Sequence, residues 1–409
     1  VVYTQVTLVN PPSPYLANDA SYPPMGLLYL GARLEELGHN VKVVDLTGGV
    51  DWRKVVEGLE ADVFGLPCVT PNFNIVREIS LLLPADKPII VGNVHATFLP
   101  EDTLKNIRCN AVVKGESEVI IEAVMKDIED GKLQRIYDGG IVSVDAIPKP
   151  ARNLVDLHKY TPGGENTTPV YTSRGCSYDC RFCSKISGRT YRMFPIKRVI
   201  EEIVEVQALG FNNIVFGDDN IIVNPKRVKE LLKAIKGLGI TFRLNQDARE
   251  RTLDEDLFQL AANAGCSEIS FGIESGSQKM LDAMNKGTTV QANKNAIELT
   301  HKHGMKAKAY FIVNFPSEND ETVGETIDFA RDAMPDKWLL SNFAPLPGSQ
   351  VFHNPERFGI DWLSSNWEDY YLAGANGMFK PCFSTKELNP DRQVYLHNLL
   401  YGELKTILG

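Results

Sequence analysis

Short, almost continuously apolar runs alternate with helix-period segments along this chain, and that pattern leaves few folds open. In the first 150 residues the runs fall at 4–10, 41–45, 62–66, 88–92 and 111–115. Residues 26–37 carry Leu27, Leu28, Leu30, Leu34 and Leu37 at helical spacing and stop at Gly38, a residue suited to the left-handed turn that ends a helix. Residues 52–59 read as a second helix. Strands apolar on both faces need cover on both, which predicts an α/β fold with a parallel, doubly wound, Rossmann-like (flavodoxin-like) sheet. Ligands of such sheets bind beyond the carboxyl ends of the strands.

The alternation pauses at Pro148 and Pro150, which favour extended chain, and at the loop chemistry of 162–168. It restarts with strands at 170–173, 213–216, 241–245, 268–272, 307–313 and 338–343. Helices are expected at 196–209, 225–238, 254–264, 291–303 and 321–333. The chain thus divides into 1–150, a linker 151–168, six strand–helix units over 169–349, and a C-terminal extension 350–409. Trp362, Trp367, Tyr370, Tyr371 and Phe379 make that extension aromatic-rich, either to cap a site or to pack. Cys382 is a lone cysteine there, a type more often buried than reactive.

Three of the seven cysteines, Cys176, Cys180 and Cys183, lie within eight residues of one another, spaced C-x3-C-x2-C after the first strand of the second half. Three thiolates on one loop make a half-enclosed soft-metal site. A structural zinc site needs four ligands, and His158 and Cys266 are remote in sequence. An iron–sulfur cube with three cysteine corners keeps one iron open. The clustering suits a reducing compartment, and the chain reads as cytoplasmic.

Formal charge is −9, from 43 basic and 52 acidic residues, without a Lys/Arg run of the kind that tracks phosphates, so nucleic acid is not an expected partner. No run of eighteen apolar residues occurs, and the first five residues do not form a basic-then-apolar leader. No membrane association is expected.

The string Thr172-Ser173-Arg174-Gly175-Cys176-Ser177-Tyr178-Asp179-Cys180-Arg181-Phe182-Cys183 resembles the signature of the radical S-adenosylmethionine (SAM) superfamily, in the branch with an N-terminal cobalamin-binding domain. The resemblance implies a partial (β/α)6 barrel over 169–349, with chemistry at the carboxyl ends of its strands, a 4Fe-4S cluster on Cys176, Cys180 and Cys183, and SAM on the open iron. SAM contacts are then expected from Phe182, from Gly217, Asp218 and Asp219 after the second strand, and from Asn245 and Gln246 on the third. Glu274 and Ser275, in Phe271-Gly272-Ile273-Glu274-Ser275-Gly276, are a strong family match, placed to meet the ribose or the methionine moiety. Asn314 follows the fifth strand, where relatives often have Gly-x-Pro-Gly-Glu; here Asn314 and Ser317 replace the glycines.

In the first half, the strand ends resemble the family's cobalamin-binding domain. Expected contacts are Thr47 and Gly48; Val69, Thr70 and Asn72, under the corrin; Gly92, Asn93 and His95; and Gly115 and Glu116. Glycine and threonine after a strand are also ordinary turn chemistry, and His95 reads equally as a structural histidine. The D-x-H-x-x-G motif that supplies a lower-axial His in other cobalamin proteins is absent, since Leu46-Thr47-Gly48 follow Asp45.

The family chemistry implied is reductive cleavage of SAM to a carbon-centred radical that abstracts hydrogen, followed by methyl delivery from cobalamin to an unactivated sp3 carbon. The electron comes from a flavodoxin- or ferredoxin-like donor. Family members act on antibiotic precursors, lipids and peptidyl residues, the glutamine of methyl-coenzyme M reductase among them, so the substrate is a small molecule or a peptide or protein residue. Two alternatives stay open. One is a radical dehydratase, cyclase or other non-methylating enzyme with a vestigial B12-like domain; the other is a non-enzymatic corrinoid- or metal-binding regulator.

Overall fold

The computed structural model describes residues 4–161, 165–246, 249, 252–374 and 378–409. Residues 1–3, at the start of the chain, and 162–164, in the loop expected at 162–168, lie outside the described residues. The chain forms two compact units, the first made of residues 1–166, 184–188 and 366–368, the second of 167–183, 189–365 and 369–409.

In the first unit, β1 (Gln5–Asn10), β2 (Asn40–Asp45), β3 (Val63–Pro67), β4 (Ile89–Gly92), β5 (Ala111–Lys114) and β6 (Ile136–Asp138) form one sheet, parallel at every pairing, in the order β2-β1-β3-β4-β5-β6. Successive strand residues feed two different cores, because side chains on a strand alternate between faces. Val9, Phe64, Leu66, Ile89, Val91 and Val112 fill one; Val6, Leu8, Val63, Ile90, Ala111 and Val113 fill the other. The covering helices are α1 (Met25–Glu36), α2 (Trp52–Glu57), α3 (Phe73–Leu82), α4 (Asn93–Phe98), α5 (Pro100–Asn106) and α6 (Ser117–Glu129). Phe73, Val76 and Ile79 of α3 join the first core, and Leu27 and Leu34 of α1 with Ile121, Val124 and Met125 of α6 join the second. Past the sheet, residues 151–160 are packed rather than extended. The Ala151 amide donates to the Leu28 carbonyl at 3.0 Å, and Leu157 and Tyr160 are buried.

The second unit carries β7 (Thr167–Val170), β8 (Ser173–Arg174), β9 (Arg192–Met193), β10 (Asn213–Phe216), β11 (Thr241–Gln246), β12 (Cys266–Glu274), β13 (Lys306–Val313) and β14 (Lys337–Asn342). Six of these form an open parallel sheet in the order β14-β13-β12-β11-β10-β7, while β8 and β9 pair antiparallel on their own. Between the strands run α7 (Ile196–Ala208), α8 (Pro225–Ile235), α9 (Glu255–Ala264), α10 (Gln278–Ala283), α11 (Val290–Lys302) and α12 (Asp320–Ala333). Helix α8 shows why: Asn224 caps it by accepting from the Arg227 amide, Pro225 pre-sets the first turn, and Val228, Leu231, Leu232 and Ile235 make one buried stripe. Helix α12 opens with a capping box between Asn319 and Thr322.

Two expectations need correction. The first barrel strand covers 167–170, not 170–173. The Thr172 amide donates to the Asp218 carboxylate at 3.1–3.2 Å, so a side chain takes the donor that a sheet ladder would have used. The extension, for which no elements were expected, carries regular structure. It holds α13 (Gln350–His353), a ribbon of β15 (Ile360–Leu363) and β16 (Phe383–Thr385), and the 19-residue helix α14 (Pro390–Leu408). Its aromatics mostly pack. Tyr370 is buried, Phe379 lies 4.3 Å from the His397 ring, and only Trp362 of the two tryptophans is exposed. Cys382 is fully buried, and that burial pushes its thiol pKa up.

Candidate functional site

The cysteine loop hangs from the end of β10. Asp218, buried, accepts from the Thr172 amide, from Thr172 Oγ1 at 2.9 Å and from Ser173 Oγ. Burial pushes its carboxyl up to about 6, against those hydrogen bonds, which favour the charged form. Asp219 Oδ2 accepts from the Gly175 amide at 3.1 Å, where Gly175 turns with φ of 80°. Both aspartates, expected to meet SAM, thus hold the entry to the cysteines. Gly217 is a packing glycine as well: a Cβ there would lie 2.8 Å from the Tyr171 ring.

Past that entry, Cys176, Tyr178 and Cys180 are buried together, and Phe182, Cys183 and Val223 pack against them. The other side of the loop is clamped by the end of α10. The Arg181 amide donates to the Met284 carbonyl at 2.9 Å and its Nη1 to the Ala283 carbonyl at 2.7 Å. Asn285 Nδ2 donates to the Asp179 carbonyl at 2.7 Å, and Gln350 Nε2 to Asp179 Oδ1 at 2.7 Å. The Arg249 guanidinium lies 3.5 Å from the centre of the Tyr178 ring, a cation–π contact. Among the described residues no group of three or more His, Cys, Asp or Glu side chains is arranged to hold a single metal ion. The donor set nonetheless fits a 4Fe-4S cluster with one open iron, because three thiols share one braced loop and soft ligands select such clusters.

Beside the loop, Glu274 ends β12 in the left-handed region, with φ of 62°, after a register shift between Gly272 and Glu274. Such strain clusters at functional sites, and here it aims a carboxylate at Lys286. Lys286 Nζ donates to Glu274 Oε1 at 2.7 Å with both side chains buried, and it lies 5.9 Å from the centre of the Phe182 ring. A buried ion pair therefore stands at this strand end, next to the ring of Phe182 in the cysteine loop. Sequence reasoning missed Lys286. The available signal was a lysine in the tight turn Met284-Asn285-Lys286-Gly287 immediately after α10.

The remaining residues expected at SAM are divided. Asn245 is half-buried, with Nδ2 3.4 Å from the Phe216 carbonyl; Gln246 is buried. Ser275 is enclosed by protein alone: its hydroxyl is 3.0 Å from Thr326 Oγ1 and accepts from the Ser277 amide at 3.1 Å. A Cβ on Gly276 would come within 2.5–2.7 Å of α12. Ser275 and Gly276 therefore lock β12 to α12. Asn314 is likewise fully enclosed, with Nδ2 donating to Asn342 Oδ1 at 2.6 Å and to the Gln393 carbonyl at 3.0 Å.

In the first unit, the order β2-β1-β3 reverses direction at β1, and the crevice of such sheets opens between β1 and β3. Asn72 Nδ2 donates to Ser13 Oγ across that point at 3.0 Å. Thr47 is tied back to Asp45, through its amide at 3.2 Å and its hydroxyl at 3.0 Å. Gly48 and Gly49 follow with φ of 77° and 78°; the Gly48 amide donates to Asp19 Oδ1 at 2.9 Å and a Cβ there would touch Ala20 at 3.8 Å, whereas Gly49 has open space where a Cβ would stand. That bare backbone, with half-buried Val69 and Gly92 and exposed Asn93 at neighbouring strand ends, fits a flat ligand such as a corrin. Thr70 and Asn72 are buried at the same edge.

Three expected contacts turn inward instead. His95 is fully enclosed. Its ring lies 4.7 Å from Phe73 and 5.0 Å from Trp367, and Asp102 accepts from Trp367 Nε1 at 3.1 Å and faces His95 Nε2 at 3.5 Å. Burial lowers the His95 pKa to about 4, so the ring is a neutral core group. Glu116, also buried, accepts from the Val142 amide at 2.7 Å. Gly115, with φ of 70°, is where the chain passes Gly140; a Cβ would come within 2.5 Å of the Gly140 carbonyl.

Residues 170–330 match the radical SAM superfamily and residues 19–125 match the B12 binding domain. The chain belongs to the radical SAM superfamily, in the branch that carries a B12-binding domain, and its cofactors are a 4Fe-4S cluster, SAM and cobalamin. Among curated relatives, it is 31% identical over 376 residues to an uncharacterized methyltransferase of Pyrococcus horikoshii, covering 85% of this chain and 81% of that one. It is 28% identical to an anaerobic magnesium-protoporphyrin IX monomethyl ester cyclase of Rubrivivax gelatinosus, covering 81% of this chain and 66% of the cyclase. Among solved structures, the radical SAM methyltransferase TsrM of Kitasatospora setae, with cobalamin and a 4Fe-4S cluster bound, superimposes with a TM-score of 0.75 at 17% identity, covering 100% of this chain and 89% of that one. The α/β fold of two parallel sheets is shared with it. Among the described residues no helix is long and apolar enough to cross a membrane.

Proposed function

We propose that this enzyme transfers a methyl group to an unactivated sp3 carbon of a small molecule or of a peptide or protein residue. The observation that carries the reading is the braced three-cysteine loop beside the buried Glu274–Lys286 pair, in a chain with 31% identity to a methyltransferase. When bound, the cofactors supply one-electron cleavage of SAM and a transferable methyl group. Cys176, Cys180 and Cys183 would hold the cluster, and Phe182 would wall it. Glu274, with its charge balanced by Lys286, offers a fixed acceptor for ribose hydroxyls or the SAM amine. Asp218 and Asp219 keep the loop in register, and Thr47, Gly48, Val69, Gly92 and Asn93 would line the corrin. We assign 1–150 to cobalamin, 151–168 to the linker, 169–349 to the radical core and 350–409 to capping. The electron donor would be flavodoxin- or ferredoxin-like, and the compartment cytoplasmic.

The test is anaerobic reconstitution with hydroxocobalamin and SAM carrying a deuterated methyl group. Methyl transfer predicts cobalt uptake and, with substrate, a labelled product. SAM cleavage without cobalt uptake would sink the reading and favour the non-methylating one, which the likeness to a cyclase supports.

A further inference from the structure

Asn314 stands where the backbone turns left-handed at the carboxyl end of β13, with φ of 68°. That conformation is disfavoured for any residue carrying a Cβ, and glycine would take it without strain. What the asparagine adds is its amide. Nδ2 donates to Asn342 Oδ1 at 2.6 Å and to the Gln393 carbonyl at 3.0 Å, while its backbone amide donates to the Glu318 carboxylate, which closes the turn. Asn342 ends β14, and its backbone N–H donates to the Leu372 carbonyl at 2.6 Å. Gln393, in the first turn of α14, donates from Nε2 to the carbonyls of Phe383 at 2.7 Å and Leu388 at 3.1 Å. Asn314, Asn342 and Gln393 are each at most 1% exposed. Two neighbouring strand ends, the first turn of the last helix and the segment at Leu372 therefore meet in one buried set of amides.

We propose that Asn314 and Asn342 are positioning residues through which the C-terminal extension fixes the 313–318 turn at the SAM end of the barrel. The proposal rests on SAM being bound at these strand ends. Asn314 is too enclosed to touch SAM itself, and its effect runs through the turn backbone. The extension is then part of the cofactor site and more than a cover for the barrel's edge.

The experiment uses the full chain, reconstituted anaerobically, with iron content, SAM affinity by equilibrium dialysis and hydrogen–deuterium exchange of the 313–318 peptide as readouts. Asn314→Gly keeps the left-handed backbone and deletes the amide. It loses both bonds of Nδ2 and is expected to weaken SAM binding by about tenfold or more, since a single buried hydrogen bond is worth about that much, to speed exchange in the turn, and to leave iron content unchanged. Asn342→Ala removes the Asn314–Asn342 bond and leaves the one to Gln393, so it should weaken SAM binding in the same direction and by no more than Asn314→Gly, and the double variant should bind no worse than Asn314→Gly alone. Wild-type protein that loads iron but binds no SAM overturns the SAM reading. Wild-type binding with unchanged affinity in both single variants overturns the node. If Asn314→Gly fails to load iron, Asn342→Ala decides by the same affinity. Loss of iron in both also overturns the proposal, because a group needed for folding at large is not a positioning device.

Discussion

Glu318 and His95 are both buried ionisable side chains, and their coupling to folding runs in opposite directions. Burial pushes the Glu318 carboxyl up to about 8, outweighing its hydrogen bonds from the Asn314 and Phe315 amides. The folded chain therefore holds a proton that the unfolded chain releases above the ordinary carboxyl range. The stability this gives is complete below that range and is lost as pH rises through about 8. Glu318→Gln should flatten the fall in denaturation midpoint between pH 5 and pH 8.5, where one such group contributes at most about 1.4 kcal/mol per pH unit. His95 has its pKa lowered to about 4, so its contribution is present above the ordinary histidine value and is lost as pH falls toward 4. His95→Gln should reduce the acid sensitivity of the first unit, read from denaturation between pH 7 and pH 4. A larger acid sensitivity in that variant would contradict the assignment. At this scale the packing of Cys176 and Cys180 with Cys183 against them on one loop was legible, since their spacing alone keeps them together. The burial of His95, Ser275 and Asn314 was not legible because spacing does not say which side of a strand end faces protein, and Lys286 went unseen because a lone lysine in a turn is ordinary until Glu274 is found beside it.

Among the elements, the joint between β12 and α12 tolerates little change. Gly276→Ala would press a methyl against the Glu325 carbonyl at 2.7 Å and the Phe329 Cβ at 2.5 Å, neither of which is a flexible side-chain end. Overpacking of this kind costs about 1–3 kcal/mol, and the denaturation midpoint should fall accordingly, with SAM affinity falling too because Glu274 is two residues away. An unchanged midpoint would mean that the joint is slack. Most strands and helices of the barrel could be read from period and caps, within a residue or two at each end. Helix α14 could not, because Gln393 and His397 sit in its buried stripe with Leu396, Leu400 and Leu404 and dilute the apolar period. Strand β6, only three residues long, offers too little pattern to find.

For the molecule as a whole, the division into two units predicts that the two cofactor functions fail separately. Cys180→Ala removes one of the three thiols proposed to hold the cluster and should abolish formation of 5′-deoxyadenosine while cobalt uptake by the reconstituted protein stays at the wild-type level. Continued 5′-deoxyadenosine formation would overturn the cluster assignment. Simultaneous loss of cobalt would show that the first unit does not stand without the cluster. The class of fold was readable because a strand apolar on both faces has few places to go. The strand order was not, since each neighbour in β2-β1-β3-β4-β5-β6 is chosen by contacts between residues far apart in the chain.

The clamps on the cysteine loop also set a schedule. Cys176, Cys180 and Cys183 leave the ribosome early in the second unit, yet the loop takes its shape from Asp218 and Asp219, then from Ala283, Met284 and Asn285, and last from Gln350. A nascent chain cut short of the last of these would present three thiols on an unshaped strand. Cluster loading should therefore be a late event in the life of the protein, following completion of the barrel, and the delivery machinery would meet a fold that is already closed around an almost finished cradle.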